Sequence, residues 1–533
     1  MDRLGVVDDI FLRTHRGLGT PIALQGLWRT TDRVEPELLQ RIHDALRSGP
    51  LGRRVVRPRV PGARRGWRVN TRAHPLLFAE GPLRDSELLP WADSLGGDLD
   101  PEFGPGWRLA AAPLADGGTV VVLTCSHALA DARGLVYAVD VALRGVAAQP
   151  ETAEAARTER AAADSALPGV VVEAAADARV ESAVTGRAET AHVFPGDSTA
   201  LDSDASGADS AADAVGSDNA STAKADSTPE VESVSNRAGL AGAGASAGRL
   251  VNPTAVENDS ARAAISPEPI AAPSTASCES DWADAVRQWS IVVGGTVRAL
   301  RHGIPERPVS SAPVRVGGNE LRVHSAVVRF GAAEWDSVAE KHGGTANSLF
   351  IHLIANLLWA TGFSGPTIGA SLPVDTRDEP RVDNDLAMTE IVVDRSDTPA
   401  TLRAKARAAY EHRMSSPGGM PEELLQVIPD RWAYALSKGA GERDILCSNI
   451  GTLPDSLRTI GAHHCIGVAA RAIHPGLTAS RLPRTRLSGY LCRTGDDYLL
   501  SLIGLDPAIE SATLLSELTV EVASRLGLTG SPW

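Results

Sequence analysis

A histidine and an aspartate four residues apart, His127 and Asp131, are the side chains of this sequence best suited to catalysis. A neutral imidazole has an ordinary pKa of about 6.5, so it can take a proton from a hydroxyl or an amine as that group attacks an acyl thioester. Such a transfer needs no covalent acyl-enzyme. Asp131 is predicted to support the loop through an arginine, while direct orientation of the imidazole, as in a catalytic triad, is the alternative.

The elements that position this pair are also visible in the sequence. Residues 119–125 form a nearly continuous β-branched and apolar run, which is typical of a strand buried on both faces. An Asp-Gly-Gly turn joins it to a strand predicted at 107–114, and residues 126–134 are a polar loop before an apolar helix at about 135–143. A junction of strand, loop and helix often carries functional residues.

Further along the chain, residues 281–533 give a mixed α and β pattern without regular βαβ alternation. Helices are predicted at 281–301, 332–341, 345–361 and 509–526, and strands at 321–330, 367–372, 388–394, 466–473 and 498–505. Residues 349–363 are too short and too polar for the roughly 20-residue span that a bilayer requires, so they are predicted to form a buried helix.

Four separated motifs follow one another in a fixed order. They are residues 105–131, which lead into the His127–Asp131 pair; residues 345–349, which open a helix with Asn347; residues 370–384, of the form PVxxR…N; and residues 447–454, of the form SN.G. In this order they resemble the condensation-domain and chloramphenicol-acetyltransferase-like superfamily of acyltransferases. The wax ester synthase/diacylglycerol acyltransferase and polyketide-associated branches are the most similar.

The resemblance implies roles for individual residues. His127 is the general base and Asp131 its structural support, with Arg377 or Arg133 as the ion-pair partner. Four further residues are expected to contact substrate: Asn347, Asn384, Ser448 and Asn449. Ser448 and Asn449 would donate hydrogen bonds near the thioester carbonyl, where negative charge develops. Simpler interpretations stay open, with Asn347 as a helix cap, Asn384 as a turn residue, and the Ser-Asn pair as the end of a turn.

The fold that the resemblance implies is α/β, with two similar lobes of mixed sheet flanked by helices, forming a V around a central tunnel. Residues 1–145 are the predicted N-terminal lobe and residues 281–533 the C-terminal lobe. Between them, residues 146–280 hold 21 acidic and 8 basic side chains and account for −13 of the net charge of −14. Low hydrophobicity with excess charge predicts disorder in this insert.

Composition excludes other classes of function. Lys and Arg number 52 against 66 Asp and Glu, which argues against a nucleic-acid groove. The five cysteines are scattered and fit a reducing cytoplasm better than disulfides, and Cys125 is an unlikely nucleophile despite its place beside His127. Residues 463–465, His-His-Cys, cannot all converge on one metal from a strand, so no metal site is predicted.

Two hypotheses of function follow. The first is an O-acyltransferase with no bound cofactor, which moves an acyl group from acyl-coenzyme A, or from a carrier protein, to a lipid-type hydroxyl, with an amine as the other acceptor; peripheral contact with lipid stays open. The second is a catalytically silent binding scaffold of the same fold. It draws support from Ser126, where many relatives have a first histidine, and from Ala132, where the signature has glycine.

Overall fold

The computed structural model describes residues 2–148, 280–301, 323–411, 421–439 and 441–533. The acidic insert predicted at 146–280 falls almost wholly outside the described residues. No helix within these described stretches has the length and apolar character to cross a membrane.

Two strands that are buried along their whole length lie side by side in the first sheet. These are β1 (Ala23–Thr30) and β6 (Thr119–Ser126), which pair antiparallel from Ala23 opposite Ser126. The predicted hairpin is present, because β5 (Trp107–Pro113) pairs with β6, and Gly117 takes a φ of +96° in the connecting turn. A positive φ favours glycine, which has no Cβ to clash with the backbone.

Two amphipathic helices pack their apolar sides into the same core as this sheet. They are α2 (Pro36–Ser48) and α4 (Ala132–Ala147), and α4 starts three residues earlier than predicted. Asp131 caps α4 with its side chain, and this cap explains the earlier start.

The first sheet also receives strands from the far end of the chain. In the described residues its order is β11-β12-β1-β6-β5-β4, where β4 is Leu77–Phe78, β11 is Thr459–Ile460 and β12 is His463–Ile473. β12 runs antiparallel to β1, with Ile473 opposite Ala23. Residues 281–533 therefore contribute strands to both sheets, because β11 and β12 pair within the first sheet, whose other strands come from residues 1–145.

The second sheet is mixed and is built entirely from the C-terminal block. Its order is β15-β7-β14-β13-β10-β8-β9, with β10 parallel to both of its neighbours and the other pairs antiparallel. The bounds are β7 His324–Gly331, β8 Thr367–Asp375, β9 Leu386–Asp394, β10 Ile445–Thr452, β13 Leu487–Thr494, β14 Asp497–Gly504 and β15 Gly530–Pro532. The predicted α/β class with mixed sheets is confirmed, while the tunnel stays a prediction.

Helices cover this second sheet. The apolar segment predicted to be a buried helix is α7 (Ala346–Ala360), whose residues 348–355 are buried apart from His352. The remaining helices of the described residues, in both parts of the fold, are α1 Val6–His15, α3 Asp85–Asp93, α5 Asp281–Arg301, α6 Ala332–Lys341, α8 Pro399–Glu411, α9 Leu424–Val427, α10 Asp430–Ser437 and α11 Ala512–Arg525. A small antiparallel ribbon pairs β2 (Arg53–Val56) with β3 (Gly66–Val69).

Several regions differ from the expectation. The Ser-Asn-containing segment predicted to be a loop is strand β10, which carries a register shift between Asn449 and Gly451. Gly451 takes a φ of +81°, and the Arg133 guanidinium lies 2.7 Å from where a Cβ would stand. In sequence, residues 447–454 resemble a turn because a β-bulge can contain a glycine with a positive φ, which is also typical of turns. The helix α1 and the central strand β1 were not predicted at all.

Candidate active site

The loop between β6 and α4 places His127 at the end of a buried strand and Asp131 at the start of a helix. Asp131 is buried, and its carboxylate Oδ1 accepts a hydrogen bond of 2.8 Å from the backbone N–H of Gly134. Its Oδ2 accepts another, of 3.0 Å, from the backbone N–H of Asp385. Asp131 thus ties the His127 loop to the segment that follows β8.

Arg377 pairs with this carboxylate across 246 residues of sequence. Its Nη2 lies 2.6 Å from Asp131 Oδ1, and both side chains are at least nine-tenths buried. Nη1 donates to Asp375 at 2.7 Å, and the guanidinium also donates to the backbone carbonyls of Arg381 and Asp383. The other candidate, Arg133, is half-exposed and lies 3.9 Å from Asp375 instead. Arg377 is therefore the arginine that braces the loop.

A second arginine holds the opposite side of the loop. Arg53 donates at 2.6 Å to the backbone carbonyl of Leu129, which lies between His127 and Asp131, and also to the carboxylate of Asp383. Its guanidinium stacks 3.9 Å from the centre of the Trp67 ring. Charged donors on carbonyl and carboxylate oxygens are among the stronger hydrogen bonds in proteins, so the loop is held rigidly.

Asn384 fixes the protonation pattern of His127. Its Nδ2 donates at 2.8 Å to the backbone carbonyl of His127 and at 2.9 Å to the carboxylate of Asp8, so the amide nitrogen faces two acceptors. The amide oxygen must then face His127 Nδ1, 3.0 Å away. An amide oxygen can only accept, so Nδ1 carries the proton and donates. The lone pair is left on Nε2.

The free nitrogen is open to a reactant. In the part of the chain that the structure describes, His127 Nε2 has no hydrogen-bond partner and is not sealed from solvent. Phe11 stacks on the imidazole with the ring centres 3.5 Å apart and the planes at 11°. Such stacking fixes the plane of the imidazole and removes water from one face.

Burial sets the charge of these groups. Removal from water lowers the pKa of His127, against the opposing effects of its own backbone carbonyl, the charge of Asp131 and the Asn384 bond. Burial also raises the pKa of Asp8 to about 6, against the hydrogen bond from Asn384 and the charge of Arg53. At neutral pH the imidazole of His127 is therefore uncharged, with its one ring proton on Nδ1.

Two predicted substrate contacts form a separate pair. Asn449 Nδ2 donates to Asn347 Oδ1 at 3.1 Å, and Asn347 Nδ2 donates to the Tyr410 hydroxyl at 2.9 Å. Asn347 is not the helix cap, because Thr345 accepts the capping bond from Ser348. The pair reaches the His127 loop through the bulge of β10, where Gly451 bonds to Asn449 and faces Arg133.

The remaining predicted residues take different positions. Asn384, expected to contact substrate, is buried and engaged with the protein through every polar atom of its side chain. Ser448 lies half-buried on β10, next to Asn449. Cys125 is fully buried, and burial raises the pKa of its thiol to about 12, so it is unsuited to act as a nucleophile.

The sequence interpretation missed the contributions of α1 and β2. Asp8 and Phe11 come from α1, whose buried side is Asp8, Asp9, Leu12 and Arg13. Since three of these four residues are charged, apolar periodicity does not mark the helix. A pair of aspartates set between two short apolar runs, 6–7 and 10–12, is the signal that was available.

Comparison with known proteins adds structural neighbours. No protein-family model matches the sequence, and no curated protein matches it either. In structure, the chain is similar over 98% of its length to the condensation domain of the Monacolin K polyketide synthase MokA, with 11% identity, a TM-score of 0.48 and 96% of that chain covered. It is similar over 98% of its length to the wax ester synthase/diacylglycerol acyltransferase of Marinobacter aquaeolei VT8, with 11% identity, a TM-score of 0.45 and 100% of that chain covered.

A third neighbour is the nonribosomal peptide synthetase FmoA3, similar over 98% of this chain at 14% identity and a TM-score of 0.45. This chain spans 42% of the length of that synthetase. Condensation domains and wax ester synthases are the kinds of protein that the sequence motifs resemble.

Proposed function

We propose that the protein is an acyltransferase that moves an acyl group from a thioester to a hydroxyl, with His127 as the general base. The observation that carries the proposal is the Asn384 amide, whose two donated bonds leave its oxygen to accept from His127 Nδ1 at 3.0 Å. This arrangement presents an unprotonated Nε2 to a substrate. A positioned base of this kind contributes roughly 10²–10⁴-fold to a transfer rate.

In the proposed reaction, Nε2 takes the proton of the acceptor hydroxyl as its oxygen attacks the thioester carbonyl carbon. The tetrahedral intermediate collapses by breaking the carbon–sulfur bond, and the imidazolium returns the proton to the departing sulfur. An ester and a free thiol result. Asn384 Oδ1 stabilises the transient positive charge on the ring, because it accepts from Nδ1 throughout.

Acyl-coenzyme A, or an acyl group on a carrier protein, is the proposed donor, and a lipid-type alcohol is the proposed acceptor. Ser448 and the Asn347–Asn449 pair are proposed to contact the thioester, since they reach the loop of the base through Gly451 and Arg133. Holding donor and acceptor at one nitrogen makes the reaction nearly intramolecular.

The residues that motivated a silent scaffold do not disturb the loop. Ala132 is the first residue of α4, and the cap by Asp131 forms without glycine there. Ser126 takes part in the turn itself, since its carbonyl accepts from the Leu129 N–H at 2.9 Å. The geometry around the base therefore supports the enzyme over the scaffold.

The test is thiol release from a panel of acyl-coenzyme A and acyl-carrier-protein donors, with long-chain alcohol, diacylglycerol and amine acceptors. We expect acceptor-dependent release that falls by at least about 100-fold in His127→Gln. His464→Gln is the control, because His464 is an exposed residue of β12. Release from no donor, or release that His127→Gln leaves unchanged, would contradict the proposal.

A further inference from the structure

The helix α1 places a buried carboxylate directly behind the residue that orients the proposed base. Asp8 is 1% exposed. Its Oδ1 accepts from Asn384 twice, from the backbone N–H at 3.1 Å and from Nδ2 at 2.9 Å. Its Oδ2 accepts from the backbone N–H of Gly5 at 2.8 Å. None of these hydrogen bonds of Asp8 goes to His127, so any effect of Asp8 on the imidazole passes through Asn384.

An asparagine amide can rotate by half a turn and exchange its oxygen and nitrogen. In the observed orientation, Asp8 and the backbone carbonyl of His127 are the two acceptors for Asn384 Nδ2. In the reversed orientation, the amide nitrogen would donate to His127 Nδ1, and the proton of the imidazole would move to Nε2. An imidazole in that tautomer has no lone pair on the nitrogen that faces the substrate.

We infer that Asp8 is a positioning residue, which holds the Asn384 amide in the orientation that keeps the His127 proton on Nδ1. The inference rests on the proposed role of His127 as the base. A carboxylate is suited to this task because it can only accept, so the oxygen of Asn384 cannot be turned toward it without repulsion. Arg53, which binds the neighbouring Asp383, compensates part of the buried charge.

Asp8→Asn isolates this function because it preserves the volume of the side chain. Both carboxylate oxygens accept from N–H donors, on Asn384 at one side and Gly5 at the other. An amide at position 8 must therefore direct its NH₂ group at a donor, whichever way it is turned. Asp9→Asn is the matched control, since Asp9 is also buried in α1 but pairs with Arg65 at 2.8 Å.

The experiment reads the tautomer of His127 by NMR in protein with ¹⁵N-labelled histidine and without substrate, the signal being assigned by its loss in His127→Gln. We expect the proton on Nδ1 in the wild type and in Asp9→Asn, and a shift of the proton toward Nε2 in Asp8→Asn. With a turned-over thioester, kcat of Asp8→Asn should fall by at least about tenfold with KM nearly unchanged, because an imidazole in the wrong tautomer is a poor base.

A double-mutant cycle separates positioning from a general loss of structure. In an Asn384→Leu background, where the amide is absent, Asp8→Asn should change neither tautomer nor kcat further. A folded Asp8→Asn protein that keeps the proton on Nδ1 and the wild-type kcat would overturn the inference. If Asp8→Asn does not fold, Asp8→Ala replaces it in the same measurements.

The two proposals fail separately. A wild-type protein that transfers no acyl group, while Asp8→Asn still moves the proton of His127, would refute the acyltransferase and leave the positioning role. An active wild type in which Asp8→Asn alters neither tautomer nor kcat would refute the positioning role alone.

Discussion

His127 and His463 are both held by hydrogen bonds at the imidazole ring, and the pKa values of the two rings are shifted in opposite directions. His127 donates from Nδ1 to the neutral amide of Asn384, and its pKa is lowered by burial. His463 lies on β12 between two carboxylates, with Nδ1 2.9 Å from Asp32 and Nε2 2.7 Å from Glu35. Burial opposes the charge there too, but the two carboxylates raise the pKa of His463 above its ordinary value.

The difference shows how the surroundings keep one imidazole neutral and favour the charged form of the other. A carboxylate on each nitrogen stabilises the doubly protonated ring and occupies both of its donors. A single neutral acceptor orients the ring without adding charge, so one nitrogen stays available. Among the described residues, no group of three or more His, Cys, Asp or Glu side chains is placed to hold a metal ion.

The largest effect is expected at the ion pair of Asp131 with Arg377, which braces the loop of His127. Asp131→Asn should lower the free energy of unfolding by about 3 kcal/mol, because it removes the buried carboxylate partner of the Arg377 guanidinium and leaves the more exposed carboxylate of Asp375. Transfer activity should fall as well, since Asp131 also binds the N–H of Asp385, the neighbour of Asn384. Urea unfolding and thiol release measure the two losses.

Asp378→Asn is the control for this variant. Asp378 belongs to the same segment and pairs with Arg381, but its side chain is 85% exposed. Removing its charge should change the free energy of unfolding far less than Asp131→Asn does, because water screens an exposed ion pair. Equal losses from the two variants would show that the Asp131–Arg377 pair contributes no more than a surface pair.

A second variant makes the environment of His127 resemble that of His463. Asn384→Asp sets a carboxylate against Nδ1, beside Asp8, whose pKa burial already raises to about 6, so the two carboxyls should share one proton. Part of the negative charge of this pair then lies next to Nδ1, which should raise the pKa of His127 and move the rising limb of the pH–rate profile by about 1 unit toward higher pH. At pH 6 this corresponds to a fall in kcat of up to about tenfold.

The pH–rate profile of Asn384→Asp also distinguishes a change in charge from damage to the site. If charge alone changes, the rate at high pH should approach that of the wild type, where His127 is unprotonated in both proteins. A rate that falls by the same factor at every pH would show that the Asn384 amide supports the reaction in some way other than by being uncharged.

The same contrast shows what the sequence can predict. The strand, loop and helix around His127 follow from a buried apolar run and a polar loop, and the family resemblance limited the ion-pair partner of Asp131 to Arg377 or Arg133. The tautomer could not be predicted, because it depends on Asp8 from a helix whose buried face is charged. Strand β1 was missed because Gln25, Gly26 and Arg29 interrupt its apolar pattern, although all of its residues are buried.

The smallest effect concerns His463 and depends on pH. Because its pKa is raised in the folded protein, its pairing stabilises the fold fully below the ordinary pKa of about 6.5 and loses that contribution as pH rises through the folded value. The stability difference between the wild type and His463→Gln should therefore shrink between pH 6 and 9. Asp32 and Glu35 are more than half exposed, so this difference should be smaller than that of Asp131→Asn.

His464→Gln provides the baseline, because His464 is the exposed neighbour on β12, and thermal unfolding across this pH range compares the three proteins. Transfer activity of His463→Gln should match the wild type, since both ring nitrogens are occupied by carboxylates that belong to the loop and helix start after β1. A stability difference that grows with pH, or a loss of activity as large as that of His127→Gln, would break the distinction between a base and a structural cation.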